Sequence, residues 1–506
     1  MQRYTWCLLG LVLGATGCAM GTTANHRSSN AMDRELVRTP MLHQHSVAST
    51  PSTVTPASYS LVAADESRET GQRGTNYQLS LGNVLYLADD QNPNLAAAYE
   101  RIREAYARVD RAQVLWLPSL RAGVNYNHHD GAIQDVAGQV FNTSRSSFYG
   151  GLGAQAVGAS SPTMPGIVAQ FHLTDAFFLP RITAHQASAR QFGATAVRND
   201  TLRDAAVAYW ELVRAERSLA IANEASRHTA ELVDRTRQYA ETGAGLPADY
   251  ERSEAELALR EEEQLTRQES VKVASARLAQ LLNADPAVMI ETDEPMVNPL
   301  ELIELSEEPA EYVATGLSLR PELAEQRHLI SEAVERLRRE KFAPLIPSVL
   351  MGMSYGGLGG GLGNSIVNTD DRWDADAVAF WEVRNLGFGE RAARQESGSL
   401  ARQAELRQVA VMDRISREVV EAHAQVRLRR ERIARTRRGV EAAQRSYELN
   451  EQRIENGQGL PIETLQSIQA VATNQRAYLN AVVDYNIAQF ELSRAIGWLV
   501  AEDKVD

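Results

Sequence analysis

Residues Arg237–Glu256 read RQYAETGAGLPADYERSEAE, and Glu451–Ala470 read EQRIENGQGLPIETLQSIQA. At an offset of 214 residues, Gly243 meets Gly457, Gly245-Leu246-Pro247 meets Gly459-Leu460-Pro461, and Asp249 meets Glu463. Glycine readily takes the left-handed conformation that closes a helix, and proline suits the first turn of the next one. Each stretch therefore reads as the tip of a helical hairpin, written twice.

Outward from the tips the duplication continues. The same offset carries Ala276-Arg-Leu-Ala-Gln-Leu-Leu282 onto Phe490-Glu-Leu-Ser-Arg-Ala-Ile496. Asn92-Pro93-Asn94-Leu95 answers Arg320-Pro321-Glu322-Leu323. Leu117-Pro118-Ser119, with Gly123 and Tyr126, answers Ile346-Pro347-Ser348, with Gly352 and Tyr355, at an offset of 229. Ordered anchors separated by loops of different length mark an internal repeat, which outranks local signals in deciding architecture.

Within a unit the hydrophobic period changes twice. Leu95, Ala98, Ile102, Ala105 and Val109 form one stripe at helical spacing. Pro118 lacks the amide hydrogen a helix needs and ends it. Leu120, Ala122, Val124 and Tyr126 then alternate with Arg121, Gly123, Asn125 and Asn127, a strand with one oily and one polar face. A loop is expected to about Pro165, then alternation at Ala169, Phe171 and Leu173, then helix from about 183 to 241. In the second unit the same reading gives a helix over 321–341, a strand over 348–355, a glycine-rich loop at Gly356–Gly363, a strand over 377–386 and a helix over 390–455. The long helices would span roughly 85–100 Å at 1.5 Å per residue, so they must lie side by side as a bundle. Alanines at 205, 206, 208, 215, 220 and 222, and at 422, 424, 434, 442 and 443, suit a narrow seam between closely approaching helices.

The ends and the bulk composition narrow the function. Trp6–Ala15 is an apolar stretch too short to span a bilayer, and it leads into Ala15-Thr16-Gly17-Cys18. That run resembles a bacterial lipobox, with Ala15 where the motif prefers leucine; it implies cleavage and a lipid on Cys18. Ala19 follows, which favours the outer membrane. Cys18 would be the sole cysteine of the mature chain, so no intrachain disulfide is available. A net charge of −13 argues against nucleic acid as a partner. No later segment offers a helical membrane span, whereas β-barrel strands need only about ten alternating residues. Two strands per unit give four per chain, and an open sheet edge is not tolerated in lipid. Three chains would supply twelve strands, an even number within the range of outer-membrane barrels.

The order helix–strand–strand–helix repeated twice, the Asn92-Pro93 and Arg320-Pro321 openings, Ala208-Tyr209-Trp210 and the closing Tyr485-Asn486…Phe490-Glu-Leu together resemble the TolC-type outer-membrane factors over about residues 78–500. The resemblance implies a mainly α chain with a transmembrane β-barrel: a homotrimer with a twelve-stranded barrel in outer-membrane lipid and a twelve-helix periplasmic tunnel. It also implies docking to a periplasmic adaptor and an inner-membrane pump, as the exit duct of a tripartite efflux or type I secretion system. Small molecules, metals or polypeptides would be the cargo. By position, Thr242-Gly243-Ala244 and Asn456-Gly457-Gln458 match the docking tips. Glu463 matches an acidic ring that narrows the closed pore, and Asp249 matches an acidic residue in the links that hold it shut. The tyrosine and arginine that complete those links fall here on Ile454 and Gly459, so a lock would have to use other residues, Arg453 or Arg237 among them. Three carboxylates near a threefold axis would attract cations. Equally, Asp249 and Glu463 suit helix N-termini through the dipole alone.

The expected division is a signal peptide at 1–17, a disordered tether at 18–77, repeats at 78–290 and 319–500 around an equatorial linker at 291–318, and a tail at 501–506. Gly356–Gly363 lacks the Gly-Lys-Ser/Thr of a phosphate loop. His128 and His129 point to opposite faces of a strand and have no complementary ligand cluster. No metal, cofactor or enzyme is indicated. The alternatives are a coiled-coil scaffold without transport, or an adaptor lipoprotein; neither accounts for four amphipathic strands set between duplicated helices.

Overall fold

Each hairpin tip closes a pair of helices of unequal length. α3 (Leu173–Glu241) has 69 residues and α4 (Pro247–Leu281) has 35; α7 (Phe388–Glu455) has 68 and α8 (Pro461–Ile496) has 36. At 1.5 Å per residue the longer pair runs for about 100 Å. The computed structural model describes residues 77–497, apart from Pro118, Arg121, 153–166, Pro295 and 306–307. These lie within one compact unit, Tyr59–Asp506. The expected signal peptide, Cys18, all of the tether before residue 77 and the tail at 501–506 lie outside the described residues.

The remaining elements, in chain order, are β1 (Tyr77–Leu79), α1 (Leu81–Gln91), α2 (Pro93–Gln113), β2 (Ser119–Leu120), β3 (Ala122–Gln134), β4 (Val140–Leu152), β5 (Ile167–His172), β6 (Ile290–Thr292), α5 (Pro309–Leu319), α6 (Pro321–Phe342), β7 (Ser348–Leu362) and β8 (Asn368–Phe380). Nearer the sheet, α2, α3, α6 and α7 pack in that order. Toward the tips, α4 and α8 take the places beside α3 and α7. A short α2 or α6 thus covers one half of a long helix, and α4 or α8 covers the other.

Apart from the short β1–β6 pair, the strands form one antiparallel sheet. β2 and β3 together run beside β4 and β5, which in turn share one edge of β7, and β8 pairs along the other edge of β7. The four strand tracks expected from the sequence are therefore present, with altered bounds. β4 falls inside the expected loop, and α3 begins at Leu173, ten residues before the expected helix, with Pro180 inside it. The glycine-rich loop is a correction of a different kind: β7 continues through it to Leu362, and β8 ends at Phe380. Glycine has little strand propensity of its own. Here β4 and β8 hydrogen-bond to both sides of the run and hold it extended. Crowding also explains one of these glycines, because a Cβ at Gly361 would lie 2.4 Å from the Ser365 carbonyl oxygen.

Strand register sets the character of the two sheet faces. Val124 and Tyr126 share a face with Phe148, Tyr355, Trp373, Ala375, Ala377 and Ala379. Val124 is 75% exposed, Tyr126 55%, Tyr355 56% and Trp373 63%. The opposite face carries Asn127, Arg145, Ser147, His172, Ser348 and Arg372, with Val378 and Phe380 at its helix-proximal end and Phe141 and Leu362 toward the far end. The first face is apolar over the part of the sheet nearer the helices; beyond Tyr126, Phe148 and Trp373 it carries His128, Asp130, Ser146 and Asp371. β3 and β8 each have a strand partner on one side only among the described residues.

The main core lies where the two repeats meet. Tyr209, Trp210, Leu212 and Val213 of α3 pack with Leu278 of α4 and Leu282 just after it, Ile290 of β6, and Val483 and Phe490 of α8. The Tyr209-Trp210 and Tyr485…Phe490 motifs are thus core residues. Asn486 and Gln489, fully buried, accept the amide hydrogens of Leu300 (2.9 Å) and Ile303 (3.1 Å) and clamp the inter-repeat segment onto α8. Of the alanine seam, Ala205, Ala206, Ala222, Ala422 and Ala443 are buried, whereas Ala220, Ala424, Ala434 and Ala442 stay exposed in the single chain. No helix among the described residues is long and apolar enough to cross a membrane.

Candidate functional site: the paired hairpin tips

The two tips have one backbone. α3 ends at Gly243 with φ +78°, and α7 ends at Gly457 with φ +69°. The Gly243 amide donates to Ala240 O at 3.3 Å and the Gly245 amide to Tyr239 O at 2.9 Å. Gly457 donates to Ile454 O at 3.0 Å, and Gly459 to Arg453 O at 2.9 Å. These bonds satisfy carbonyls that a helix end leaves without partners. The second glycine of each turn allows close packing: a Cβ at Gly245 would lie 2.9 Å from Tyr239 Cβ, and one at Gly459 2.9 Å from Ile454 N. Pro247 and Pro461 then open the returning helices.

All six expected docking residues, Thr242, Gly243, Ala244, Asn456, Gly457 and Gln458, are exposed on these turns. Thr242 Oγ1 donates back to Gln238 O at 2.8 Å, so its hydroxyl proton is already used. Leu246 and Leu460 project into solvent at 66% and 58% exposure. The tips are brought together by contacts that the sequence reading did not identify. Tyr239 Oη donates to Ile454 O at 3.3 Å. Arg235 Nη2 reaches Glu455 at 3.2 Å and Glu451 at 3.5 Å. Farther up, the Tyr447 hydroxyl lies 2.9 Å from His228 Nδ1. Between the turns is a groove of about 600 Å³ lined by Tyr239, Leu246, Asp249, Ile454, Leu460 and Pro461.

The two candidate gate carboxylates differ in their surroundings. Both sit in the first turn of a helix, Asp249 in α4 and Glu463 in α8, where negative charge offsets the dipole. Glu463 is bound by Arg453, Nη1 to Oε2 at 2.9 Å. Arg453 is therefore one of the cations the sequence left open for a lock. Arg237, the other, is paired instead with Asp234 at 2.7 Å. Asp249 has no cation partner among the described residues. The signal that would have found the bridge was the repeat itself, since Tyr239 occupies the position of Arg453 at the same offset of 214.

A second repeat-related contrast lies where the units join. Asn92 Oδ1 accepts from the Asn94 and Leu95 amides at 2.9 and 3.4 Å and caps α2, while its amide donates to Leu281 O at 2.9 Å. The equivalent Arg320 is 2% exposed and donates to Glu322 at 3.0 Å and Glu418 at 2.5 Å. Arg494 completes the cluster, reaching Glu418 and Asp200 at 2.6 Å each. Burial alone would raise the Glu322 and Glu418 carboxyls. The hydrogen bonds and charge of Arg320, with the charge of Arg494, outweigh it and hold both below the usual carboxylate range.

A long-helix body, a four-track sheet and paired tips give the chain the fold of solved outer-membrane channels. The Campylobacter jejuni CmeC outer membrane channel superposes with a TM-score of 0.69 at 16% identity, over 90% of this chain and 96% of that one. A membrane protein from Pseudomonas aeruginosa gives 0.67 at 18% identity, over 82% and 93%. The Neisseria gonorrhoeae MtrE outer membrane channel in its open state gives 0.63 at 16% identity, over 83% and 89%. No protein-family model and no curated protein sequence matches the chain.

Proposed function

We propose that three copies of this chain close a twelve-stranded barrel in the outer membrane and a helical tunnel beneath it. Together they form the exit duct of a tripartite efflux or type I secretion assembly. The observation that carries the proposal is the sheet: an exposed apolar band on one face nearer the helices, and a single-sided strand at each edge among the described residues. Four tracks cannot close around a lumen, and exposed edge groups are not tolerated in hydrocarbon, so the edges must find other copies. Val124, Tyr126, Tyr355 and Trp373 then meet lipid, and Asn127, Arg145 and Ser147 meet water. The exposed alanines of α7 supply close-packing positions for a neighbouring helix.

The paired tips are the end at which an adaptor and its pump would dock, through Thr242–Ala244, Asn456–Gln458 and the groove between them. Glu463 is the gate carboxylate, held by Arg453 in the closed arrangement, and Asp249, which lines the groove between the tips, is a second acidic group. Cys18 is the lipid anchor. The reading is tested by fractionation: the protein should partition with outer membrane as a trimer that dissociates on heating. Recovery as a soluble monomer would defeat it.

A further inference from the structure

Where the sheet meets the helices, unpaired cations and large exposed apolar side chains lie at one level. The chain as a whole carries −13. At this level the acids are largely consumed by two arginines. Arg339 binds Asp175 at 2.6 Å and Glu340 at 2.5 Å, and Arg384 binds Glu340 at 2.8 Å and Glu390 at 3.0 Å. That leaves a surplus of cations. Arg181, Lys341, Arg391 and Arg394 are exposed and make no ion pair among the described residues; Arg181 lies over the Phe177 ring at 5.0 Å, and Arg394 Nε reaches only the Glu340 carbonyl at 3.4 Å. Glu382 and Glu396 are the exposed acids of the segment that no ion pair engages, so the four free cations outnumber them among the described residues.

The apolar side chains at the same level are large and bare. Leu345 is 70% exposed, Trp381 62%, Phe388 74% and Leu386 91%. Leu386 is held out by the backbone. Asn385 and Leu386 have φ of 48° and 57°, a left-handed pair before Gly387, which has φ 91°. A branched apolar residue in that conformation is rare. Here it places leucine at the most exposed point of the turn. Beside the turn lies a pocket of about 440 Å³ lined by Pro344, Val383, Gly387, Arg391, Arg394 and Gln395, with Glu390 engaged by Arg384. Tryptophan, leucine and arginine at one level is the pattern of a membrane–water boundary, where aromatic rings sit among headgroups and cations meet phosphate.

We infer that this collar is a docking surface for anionic phospholipid in the leaflet on the helix side of the membrane. Arg391 and Arg394 hold the headgroup phosphate at the pocket, and Leu386 and Trp381 enter the acyl boundary. The occupant follows from charge complementarity and from continuity with the apolar face that ends at Ala379, two residues before Trp381. It rests on the proposed membrane reading and adds lipid selectivity, which a barrel does not require.

The full-length trimer is compared with the Arg391→Gln/Arg394→Gln double variant and with Leu386→Ser. Each is reconstituted into vesicles of neutral phosphatidylcholine or of the same lipid with phosphatidylglycerol, and retained lipid is read by native mass spectrometry. Wild type should retain phosphatidylglycerol in preference to phosphatidylcholine, and the double variant should lose that preference by about fivefold per cation, the scale for a basic side chain at an anionic surface. Millimolar inorganic phosphate should not displace the lipid; displacement would make the pocket a free-anion site and overturn the proposal. So would unaltered selectivity in the double variant, or loss of its trimer on unheated gels, which would make the collar a subunit contact. Leu386→Ser should weaken retention while leaving the preference for phosphatidylglycerol intact. Failure of wild type to enter any vesicle would instead count against the duct itself, so the two readings fail separately.

Discussion

The two repeats share a backbone and differ in how they hold it. At the equator, Asn92 caps a helix with neutral hydrogen bonds where Arg320 anchors a buried ionic cluster. At the tips, Tyr239 donates across to the other hairpin, where Arg453 closes on a carboxylate of its own hairpin. In both places the first repeat uses a neutral side chain and the second an arginine. Duplication thus fixed the geometry and left the chemistry free to diverge. The second repeat concentrates the charge interactions, so it is the half that should answer to pH and salt.

The largest effect is expected at the equator. Arg320→Met leaves the half-buried Glu322 and Glu418 with Arg494 as their remaining cation and should cost about 3 kcal/mol, the low end of the range for breaking a buried ion pair. Asn92→Ala removes a cap and should cost about 1 kcal/mol. Denaturant unfolding of both variants checks the contrast; equal losses would break it. Next come the turns. Gly459→Ala drives a Cβ against the Ile454 and Arg453 backbone at 2.9 and 3.1 Å and should lower stability by about 1–3 kcal/mol. Gly243→Ala meets open space and bears mainly the left-handed penalty, about 1–2 kcal/mol. Thermal melts of the two trimers rank them.

Acid sharpens the same comparison. Glu322 and Glu418 have depressed folded-state pKa values, so they bind fewer protons folded than unfolded near and below the ordinary glutamate value of about 4.3. Their contribution is complete above that value and is lost as pH falls through the depressed ones. Stability should therefore drop more steeply below about pH 4 in wild type than in Arg320→Met. Parallel profiles would place the acid sensitivity elsewhere. The smallest stability change is expected for Arg453→Gln. Its pair with Glu463 is half exposed, so roughly 0–1 kcal/mol is at stake. Channel current should respond more than stability, because an uncompensated carboxylate is left at the tip. Tyr239→Phe, which removes one neutral hydrogen bond, should leave cation block unchanged in the same recordings.

The sequence was most informative where chain chemistry is restrictive. Gly243, Gly457, Pro247 and Pro461 allow few conformations, so both tips could be located from them. The apolar stripe of α2 could be read for the same reason of strict periodicity. It was least informative where partners decide the structure. Val140–Leu152 is VFNTSRSSFYGGL, mostly polar and small, and becomes a strand because β3 and β7 flank it. The glycine run of β7 is extended because β4 and β8 hold it. Leu173, the last apolar position of the alternation that begins at Ala169, instead opens α3, which runs on despite Pro180. At the site, the positions of Asp249 and Glu463 could be read, but not their contacts. Whether Arg453 turns to Glu463, or Tyr239 crosses to Ile454, depends on how two hairpins far apart in sequence lie together.

If three copies enclose a pore gated at the tips, single-channel recording of purified trimers in planar bilayers will show it. Wild type should give discrete, cation-sensitive conductance, and Glu463→Ala should change the block by divalent cations without altering trimer content. Absence of conductance from intact trimers would contradict the duct, and unaltered block in Glu463→Ala would remove Glu463 from the gate.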